Sequence, residues 1–258
     1  MGALHEGHLS LIREARRSND VVIASIFVNP TQFGAGEDLD KYPRQLEQDK
    51  ELLTDLEVDH LFAPDCDSMY GPNHVTYVEP EGFDDIAEGV SRPGHFKGVA
   101  TVVTKLFNIV KPTNAYFGQK DAAQCCLIRR IVHDLDMDVN VVIMDTVREP
   151  DGLAMSSRNA YLTEAERKVA PIVYQSLCTA RDLYHGNGGR PIAAQHLQEV
   201  VESVLRSEPL VTQVQYVSVD CRETMRPLQT VGKEGAIISL ACKIGSVRLI
   251  DNMVLKRI

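Results

Sequence analysis

The sequence predicts an α/β protein, in which a domain built on a doubly wound parallel sheet is followed by a smaller α+β domain. Helical and β-branched segments alternate over residues 1–146, and after Asp151 and Gly152 two helical stretches precede three strands. Of the 258 residues, 44% are hydrophobic and 24% are charged, an ordinary balance for a globular chain with a sizeable core. We therefore predict two domains, 1–146 and 147–258.

Each element of the first domain is predicted from apolar spacing. Leu9, Ile12 and Ala15 are spaced for one face of a helix, and the β-branched run after them is typical of a buried strand. The alternation that follows predicts a Rossmann-like parallel sheet with helices on both faces. In order, the predicted elements are helix 9–17, strand 21–28, helix 44–59, strand 60–64, helix 98–110, strand 115–117, helix 122–135 and strand 139–144.

The second domain is predicted to contain helices before strands. Helices are expected at 163–184 and 191–206, separated by the glycine-rich segment 186–189. A run of helices followed by a run of strands is typical of an α+β domain. The strands are expected near 214–219, 236–241 and 247–250.

Charge and cysteine content argue against several classes of protein. Lys and Arg total 27 against 36 Asp and Glu, and a net charge of −9 without a basic block argues against a nucleic-acid partner. The longest apolar runs are under half of a membrane span, and the start does not resemble a signal peptide. The six cysteines contain no CxxC pair, which favours free thiols. We expect a soluble cytoplasmic protein without a membrane partner.

The segment HEGH near the start has the properties of a phosphate-binding loop. It lies where a loop is predicted to enter the helix near Leu9, and Gly2 and Gly7 let a ligand approach the backbone closely. His5 and His8 could donate hydrogen bonds to phosphoryl oxygens as negative charge accumulates there. A zinc pair or two surface histidines are the alternatives, but HExxH and a nearby third ligand are missing.

A second candidate, YFGQKD, lies where the third strand ends and the next helix begins. Open parallel sheets bind ligands in that region, and Lys120 could neutralise phosphate charge there. Asp121 and Gln124 are also spaced as a helix cap and its capping-box partner, so a purely structural role for both stays open.

A third candidate, GLAMSSRN, is a polar loop in which two hydroxyls and a guanidinium follow one another. Ser156, Ser157 and Arg158 are suited to wrapping a triphosphate. Loops of this composition are also often simple caps and turns, and composition alone does not separate the two interpretations.

Amide and cationic side chains at two further places complete the candidate set. Asn29 and Gln32 follow the predicted strand 21–28, and neutral amides there suit a small polar substrate. Arg92 and His95 lie in a loop rich in Pro and Gly, for which a surface turn is the alternative. Because the candidates converge on strand ends and domain junctions, phosphate and a small acid are the implied ligands.

Together these segments resemble the pantoate-beta-alanine ligase family over nearly the whole chain, from Met1 to Asn252. HxGH alone is shared with nucleotidylyltransferases and class I aminoacyl-tRNA synthetases, whereas the full set is far more specific. The matching segments are MGALHEGHLSL, SIFVNPTQF, YPR, SRPGHFKGVATVV, YFGQKD, GLAMSSRNAYL and RLIDN.

The resemblance implies an acid-amine ligase of the coenzyme A pathway that uses ATP, Mg²⁺, pantoate and beta-alanine. Pantoate would attack the α-phosphorus of ATP to give pantoyl adenylate and pyrophosphate, and beta-alanine would then displace AMP to give pantothenate. Adenylation turns the carboxylate oxygen into a good leaving group. The resemblance also implies a homodimer with a lid-like second domain.

The site residues follow from the same resemblance. The catalytic residues would be His5, His8 and Lys120. ATP would contact Met1, His5, His8, Gly118, Lys120, Asp121, Val147, Met155, Ser156, Ser157 and Arg158. Pantoate would be bound by Gln32 and Gln124, and the beta-alanine pocket or its rim would include Asn29, Tyr42, Arg92 and His95. No magnesium ligands are assigned.

The chain departs from the family pattern in a few places. Family members usually carry a helix and a first strand before the position of Met1, so the sheet would lack its usual inner strand. Another segment could compensate, or the fold and its activity could be weakened, but a missing upstream segment in the gene record is the explanation we favour. Gln119 replaces a commonly acidic residue, and Ala122 and Ala123 stand where an aromatic residue and a glutamine are common.

Two alternatives to a ligase stay open at this point. One is another HxGH enzyme, a nucleotidylyltransferase, against which only Gln32, Gln124 and the MSSRN segment argue. The other is a catalytically inactive binding protein derived from the same fold.

Overall fold

The structure is a computed structural model that describes residues 2–256 and divides them into two units. The first unit contains the chain up to Asp85 together with Arg92–Gly118 and Leu127–Asp145. The second unit contains Ile86–Ser91, Gln119–Cys126 and the chain from Thr146 onward.

The chain forms helices and strands in alternation at first and then a strand-rich region. Short 3₁₀ turns lie at Pro30–Gln32 and Ser157–Tyr161. In chain order the elements are α1 Glu6–Ser18, β1 Ile23–Ser25, α2 Leu46–Asp55, β2 His60–Phe62, α3 Cys66–Met69, α4 Ala87–Ser91, α5 His95–Val110, β3 Asn114–Gly118, α6 Ala122–Asp134, β4 Asn140–Met144, α7 Glu164–Val169, α8 Ile172–Gly186, β5 Ile192–Ala193, α9 Ala194–Arg206, β6 Val211–Asp220, β7 Thr230–Val231, β8 Ala236–Ile244 and β9 Val247–Leu255.

The strands of the first unit are parallel, as the alternation of elements predicts. β1 pairs with β2, with Ile23 opposite His60, and β3 pairs with β4, with Asn114 opposite Asn140. α5 is the most deeply buried helix of this unit, and its buried face includes Phe96, Val99 and Ala100. The carboxyl ends of these strands lead into the segments that carry the candidate site residues.

Two sequence predictions about these elements are wrong. The strand predicted as buried over 21–28 extends only over Ile23–Ser25, and Ile23 exposes 40% of its surface. β-branched composition favours an extended backbone, but tertiary packing decides whether its faces are covered. The helix predicted over 163–184 is divided into α7 and α8 around Pro171, because proline has no N–H to donate to the preceding turn.

The second unit packs helices α8 and α9 on an antiparallel sheet with strand order β6, β8, β9. Leu197, Val201 and Leu205 lie one helical turn apart on α9, and all three are fully buried. They join a continuous apolar core with residues of the sheet, including Ile238 and Leu240 of β8. This packing fixes β9, which carries Arg248 and Asp251 of the candidate site.

Within residues 2–256, no helix combines the length and the apolar character that a bilayer crossing requires.

Replacing Asp220 with Asn should stabilise the second unit at neutral pH. Asp220 is 3% exposed and accepts a 2.6 Å hydrogen bond from the Ser218 hydroxyl, while burial raises its pKa to about 6. Because this pKa lies above the ordinary value of 3.8, ionisation of Asp220 destabilises the fold as the pH rises through about 6. We expect the free energy of unfolding of Asp220→Asn to exceed that of the wild type by up to about 3 kcal/mol at pH 8.

Urea unfolding at pH 8 and pH 4 measures this difference, which should shrink at the lower pH because Asp220 is then protonated. Asp138→Asn at an exposed position is the matched control and should show no such pH dependence. An equal effect of Asp220→Asn at both pH values would contradict the assignment.

Candidate active site

His5 and His8 form the N-terminal cap of α1. The helix begins at Glu6, earlier than the predicted start near Leu9, because apolar spacing does not detect a polar first turn. The Gly7 N–H donates to Nδ1 of His5 at 3.2 Å, and the His5 N–H donates to Nδ1 of His8 at 3.3 Å. Since Nδ1 accepts in both rings, a neutral ring carries its proton on Nε2, and each presents an Nε2–H donor. The ring centroids lie 4.0 Å apart.

The segment before the histidines is held by a buried carboxylate that the sequence does not reveal. Asp49 of α2 is fully buried and accepts hydrogen bonds from the N–H groups of Ala3 and Leu4 at 2.9 and 2.8 Å. Gly2 has φ +97, and a Cβ there would lie 3.2 Å from the Asp49 carboxylate. An acidic residue in a polar helix carries no signal for such a distant contact.

Asn29 is buried and uses its whole amide within the first unit. Its Oδ1 accepts hydrogen bonds from Thr31 at 2.9 Å and from the Tyr70 hydroxyl at 2.8 Å. Its Nδ2 donates to Oε1 of Gln32 at 3.1 Å and to the Gly98 carbonyl at 3.2 Å. The geometry therefore places Asn29 as a support that orients the Gln32 side chain.

Arg92 and His95 hold the backbone of Gln32 and do not form the solvated surface turn that the sequence left open. Nη2 of Arg92 and Nδ1 of His95 both donate to the Gln32 carbonyl, at 3.2 and 2.8 Å. His95 then accepts from Arg92 through Nε2 at 3.0 Å. Arg92 also donates two hydrogen bonds to the Glu37 carboxylate, at 2.8 and 2.6 Å. Burial alone would raise the pKa of Glu37, but Arg92 lowers it below its usual value.

In the second unit, an open cleft of about 370 Å³ contains Lys120. Lys120 is half-buried, and its ammonium has no ion pair or hydrogen bond with any residue from 2 to 256. Arg248, by contrast, pairs with Glu88 at 2.6 Å, and Asp251 pairs with Arg148 at 2.6 Å. The cleft is lined by Lys120, Leu153, Ala154, Ser156, Arg158, Asn159, Val173, Arg248, Leu249, Ile250 and Asp251.

The polar loop after Gly152 is partly a cap and partly a cleft wall. The Ser156 hydroxyl accepts from the Arg158 N–H at 3.3 Å and so caps the 3₁₀ turn Ser157–Tyr161. The Met155 N–H donates to the Val147 carbonyl at 3.0 Å, so two predicted ATP contacts are neighbours. Ser156 therefore caps the turn and also lines the cleft, while triphosphate binding by this loop stays a prediction.

Asp121 and Gln124 do not form the capping box that their spacing allowed. Within the described chain, neither side chain makes a hydrogen bond. Gln124 is half-buried in the first turn of α6, and Asp121 is exposed just before it. A half-buried amide without a protein partner is suited to binding a ligand.

The remaining predicted residues have simpler positions. Met1 lies outside the described residues. Tyr42 is buried, and its ring meets the ring of Phe33 edge-on with centroids 5.9 Å apart. Gly118 is the last residue of β3.

The part of the chain that the structure describes, 2–256, contains no group of three or more His, Cys, Asp or Glu side chains arranged to hold a metal ion. Mg²⁺ in nucleotide enzymes is commonly held by one or two carboxylates together with substrate phosphates and water. Among residues 2–256, such a donor set is not preformed as a dedicated protein cage.

The sequence is similar to that of known ligases along its length. A family model described as Pantoate-beta-alanine ligase matches residues 1–254. The pantothenate synthetase of Thermodesulfovibrio yellowstonii is 50% identical over 256 residues, which cover 99% of this chain and 90% of the relative. That of Chloroflexus aurantiacus is 51% identical with the same coverage.

Solved structures of such ligases match this fold. The crystal structure of pantothenate synthetase from Thermus thermophilus matches with a TM-score of 0.92 and 46% identity, over 99% of this chain and 91% of that chain. A pantoate-beta-alanine ligase from Francisella tularensis, complexed with beta-gamma ATP and beta-alanine, matches with a TM-score of 0.79 and 39% identity, over 99% and 87% of the two chains. These matches confirm the predicted fold class.

Adding a methyl group at Gly98 should destabilise the first unit. A Cβ at Gly98 would lie 2.3 Å from the Thr31 carbonyl oxygen and 2.6 Å from the Gln32 nitrogen, so the turn that carries Gln32 would have to move. We expect Gly98→Ala to lower the free energy of unfolding by about 1–3 kcal/mol, the usual cost of overpacking. Denaturant unfolding tests this, with exposed Asn108→Ala on the same helix as control. Equal stability of the two variants would refute the close-packing argument.

Proposed function

The chain belongs to the pantoate-beta-alanine ligase family, and we propose that it forms its amide bond through a pantoyl adenylate. It is an acid-amine ligase that joins pantoate to beta-alanine with ATP. The observation that carries the assignment of residues is the Lys120 ammonium, a half-buried cation without a protein partner among residues 2–256, in a cleft with Ser156 and Arg158.

In the proposed first step, a carboxylate oxygen of pantoate attacks the α-phosphorus of ATP. The bond between the α-phosphorus and the bridging oxygen breaks, and pyrophosphate leaves with the electron pair. In the second step the amine of beta-alanine attacks the acyl carbon, loses a proton and expels AMP. The first step is needed because an unactivated carboxylate has no leaving group for an amine to displace.

The second unit would bind the charged part of the nucleotide. A half-buried ammonium without an internal carboxylate partner gains the most from a phosphate. Folding has already removed part of the water around the charge, so phosphate binding does not have to remove it again. Ser156, Ser157 and Arg158 would add hydroxyl and guanidinium donors. Gly118, Asp121, Val147 and Met155 remain proposed nucleotide contacts, as does Met1, which lies outside the described residues.

The first unit would supply the two imidazoles and the pantoate amide. His5 and His8 would donate from Nε2 to phosphoryl oxygens that become more negative in the transition state, while their Nδ1 atoms keep the start of α1 in place. Gln32 would bind pantoate with its side chain held by Asn29 and its backbone by Arg92 and His95. Gln124 of the second unit would be the other pantoate amide, and Tyr42 stays a proposed rim residue.

We also propose that Mg²⁺ accompanies the triphosphate and is held mainly by phosphate oxygens and water, in keeping with the donor set described above. When bound, it would supply additional positive charge to the phosphates. A cytoplasmic location stays a proposal from the sequence, in which the six cysteines contain no CxxC pair. A homodimer, a second domain over 147–258 that acts as a lid, and the lack of a nucleic-acid partner stay proposals from the sequence.

Replacing Lys120 with Ala should slow adenylation by about two to three powers of ten, the usual scale for the loss of one donor to a developing negative charge. The measurement is pyrophosphate release from ATP with pantoate alone, followed by AMP release after beta-alanine is added. Exposed Lys233→Ala in the same unit is the control and should release pyrophosphate at the wild-type rate. Normal pyrophosphate release by Lys120→Ala would remove this residue from the mechanism.

The same assay separates the alternative functions. A nucleotidylyltransferase would not depend on beta-alanine for AMP release, and an inactive binding protein would release neither product while remaining folded.

The substitution His5→Asn separates the two roles of His5. Asn is among the best N-cap residues, so His5→Asn should keep α1 and the thermal stability of the protein, whereas the Nε2–H donor is lost. We expect adenylation to fall by about two powers of ten or more without loss of fold. The comparison with His5→Ala, which loses both the cap and the donor, is made by circular dichroism melting and the pyrophosphate assay. An active His5→Asn enzyme would show that His5 acts only as a cap.

A further inference from the structure

We propose that Asn252 is a positioning residue for the ligase reaction and that it acts through Lys120. This inference rests on the role proposed above for the Lys120 ammonium. Asn252 belongs to the RLIDN segment, to which the sequence assigned no role, and it lies on β9 with only 4% of its surface exposed.

Asn252 binds both carbonyls of the turn that carries Lys120. Its Nδ2 donates to the Gln119 carbonyl at 2.9 Å and to the Lys120 carbonyl at 2.8 Å. Its Oδ1 accepts from Nε2 of Gln119 at 3.1 Å. Because carbonyl oxygens only accept, the two N–H groups of the amide must face the turn, which sets the orientation of the side chain.

The chemistry of this contact requires an amide of this length. Asn252→Asp would present acceptors to two carbonyl acceptors, and Asn252→Ala would leave both carbonyls without this donor. The turn Gln119–Lys120 lies between β3 and α6, outside any helix or strand. Its backbone therefore depends on contacts such as this one, and the direction of the Lys120 side chain depends on its backbone.

Gln119 fits the same arrangement. The resemblance to the ligase family leads one to expect an acidic residue at this position, and a carboxylate could not donate to Oδ1 of Asn252. In this chain the Gln119 amide makes that third hydrogen bond. Gln119, where the family commonly has an acidic residue, thus adds a hydrogen bond to Asn252 and further restrains the turn that carries Lys120.

The opposite strand offers a matched control. Ser239 of β8 lies directly across from Asn252 in the sheet. Ser239 is buried as well, and its Oγ has no partner among residues 2–256. Ser239→Ala therefore perturbs the same part of the sheet without affecting the Lys120 turn.

The test is a double-mutant cycle read by pyrophosphate release from ATP and pantoate. We expect Asn252→Ala to lower kcat/KM for ATP by up to about a hundredfold, the scale of an ångström-level misplacement of a catalytic group. Asn252→Asp should behave similarly, and Ser239→Ala should stay near the wild type. In a Lys120→Ala background, Asn252→Ala should cause no further loss, because its effect runs through the missing ammonium.

Each outcome bears on the proposal. An equal fold-loss from Asn252→Ala with and without Lys120 would show a general structural role and overturn it, while the role of Lys120 would stand. If Lys120→Ala alone has no effect, the proposed role of Lys120 fails, and this inference fails with it. If Asn252→Ala does not fold, Gln119→Glu replaces it in the cycle, since it removes one hydrogen bond and keeps Asn252. A loss of a few fold that disappears without Lys120 is then expected.

Discussion

The structure of this protein depends on hydrogen bonds from buried polar side chains to the backbone N–H and carbonyl groups of loops. Residues at strand ends and helix starts have few backbone partners of their own, and here distant side chains supply part of the missing hydrogen bonds. Asp49 does this for the N–H groups of Ala3 and Leu4, and Asn252 does it for the carbonyls of Gln119 and Lys120. In both cases the bond joins segments far apart in the sequence, so the loops are positioned only by the complete fold.

Local sequence patterns predicted the order and kind of the main elements, and the failures have local causes. Helices α5 and α6 were predicted within a few residues, because their apolar spacing is regular. The start of α1 was missed because His5 caps it with an imidazole, a residue that capping rules do not favour. The exposure of Ile23 depends on tertiary packing, and the division of the helix at Pro171 depends on the missing N–H of proline. Rules based on apolar spacing include neither effect.

The candidate site was predictable where a residue type carries the chemistry, and unpredictable where a residue only supports another. Lys120, Ser156 and Arg158 were found from their motifs, and the structure places them on one cleft. Asp49 and Asn252 were assigned no role, because an isolated Asp or Asn does not indicate which distant backbone it will bind. The ion pairs of the cleft were unpredictable for the same reason, because contacts such as that of Arg248 with Glu88 join distant segments.

The position of Asn252 on β9 has a consequence for biosynthesis. A ribosome makes the chain from its amino terminus, and Asn252 emerges 132 residues after Lys120. The turn that carries Lys120 can receive the hydrogen bonds of Asn252 only after β9 has been made and has docked beside β8. Nascent chains can therefore form the helices that precede β9 early, whereas the lysine is fully aligned only once β9 has been made and has paired with β8.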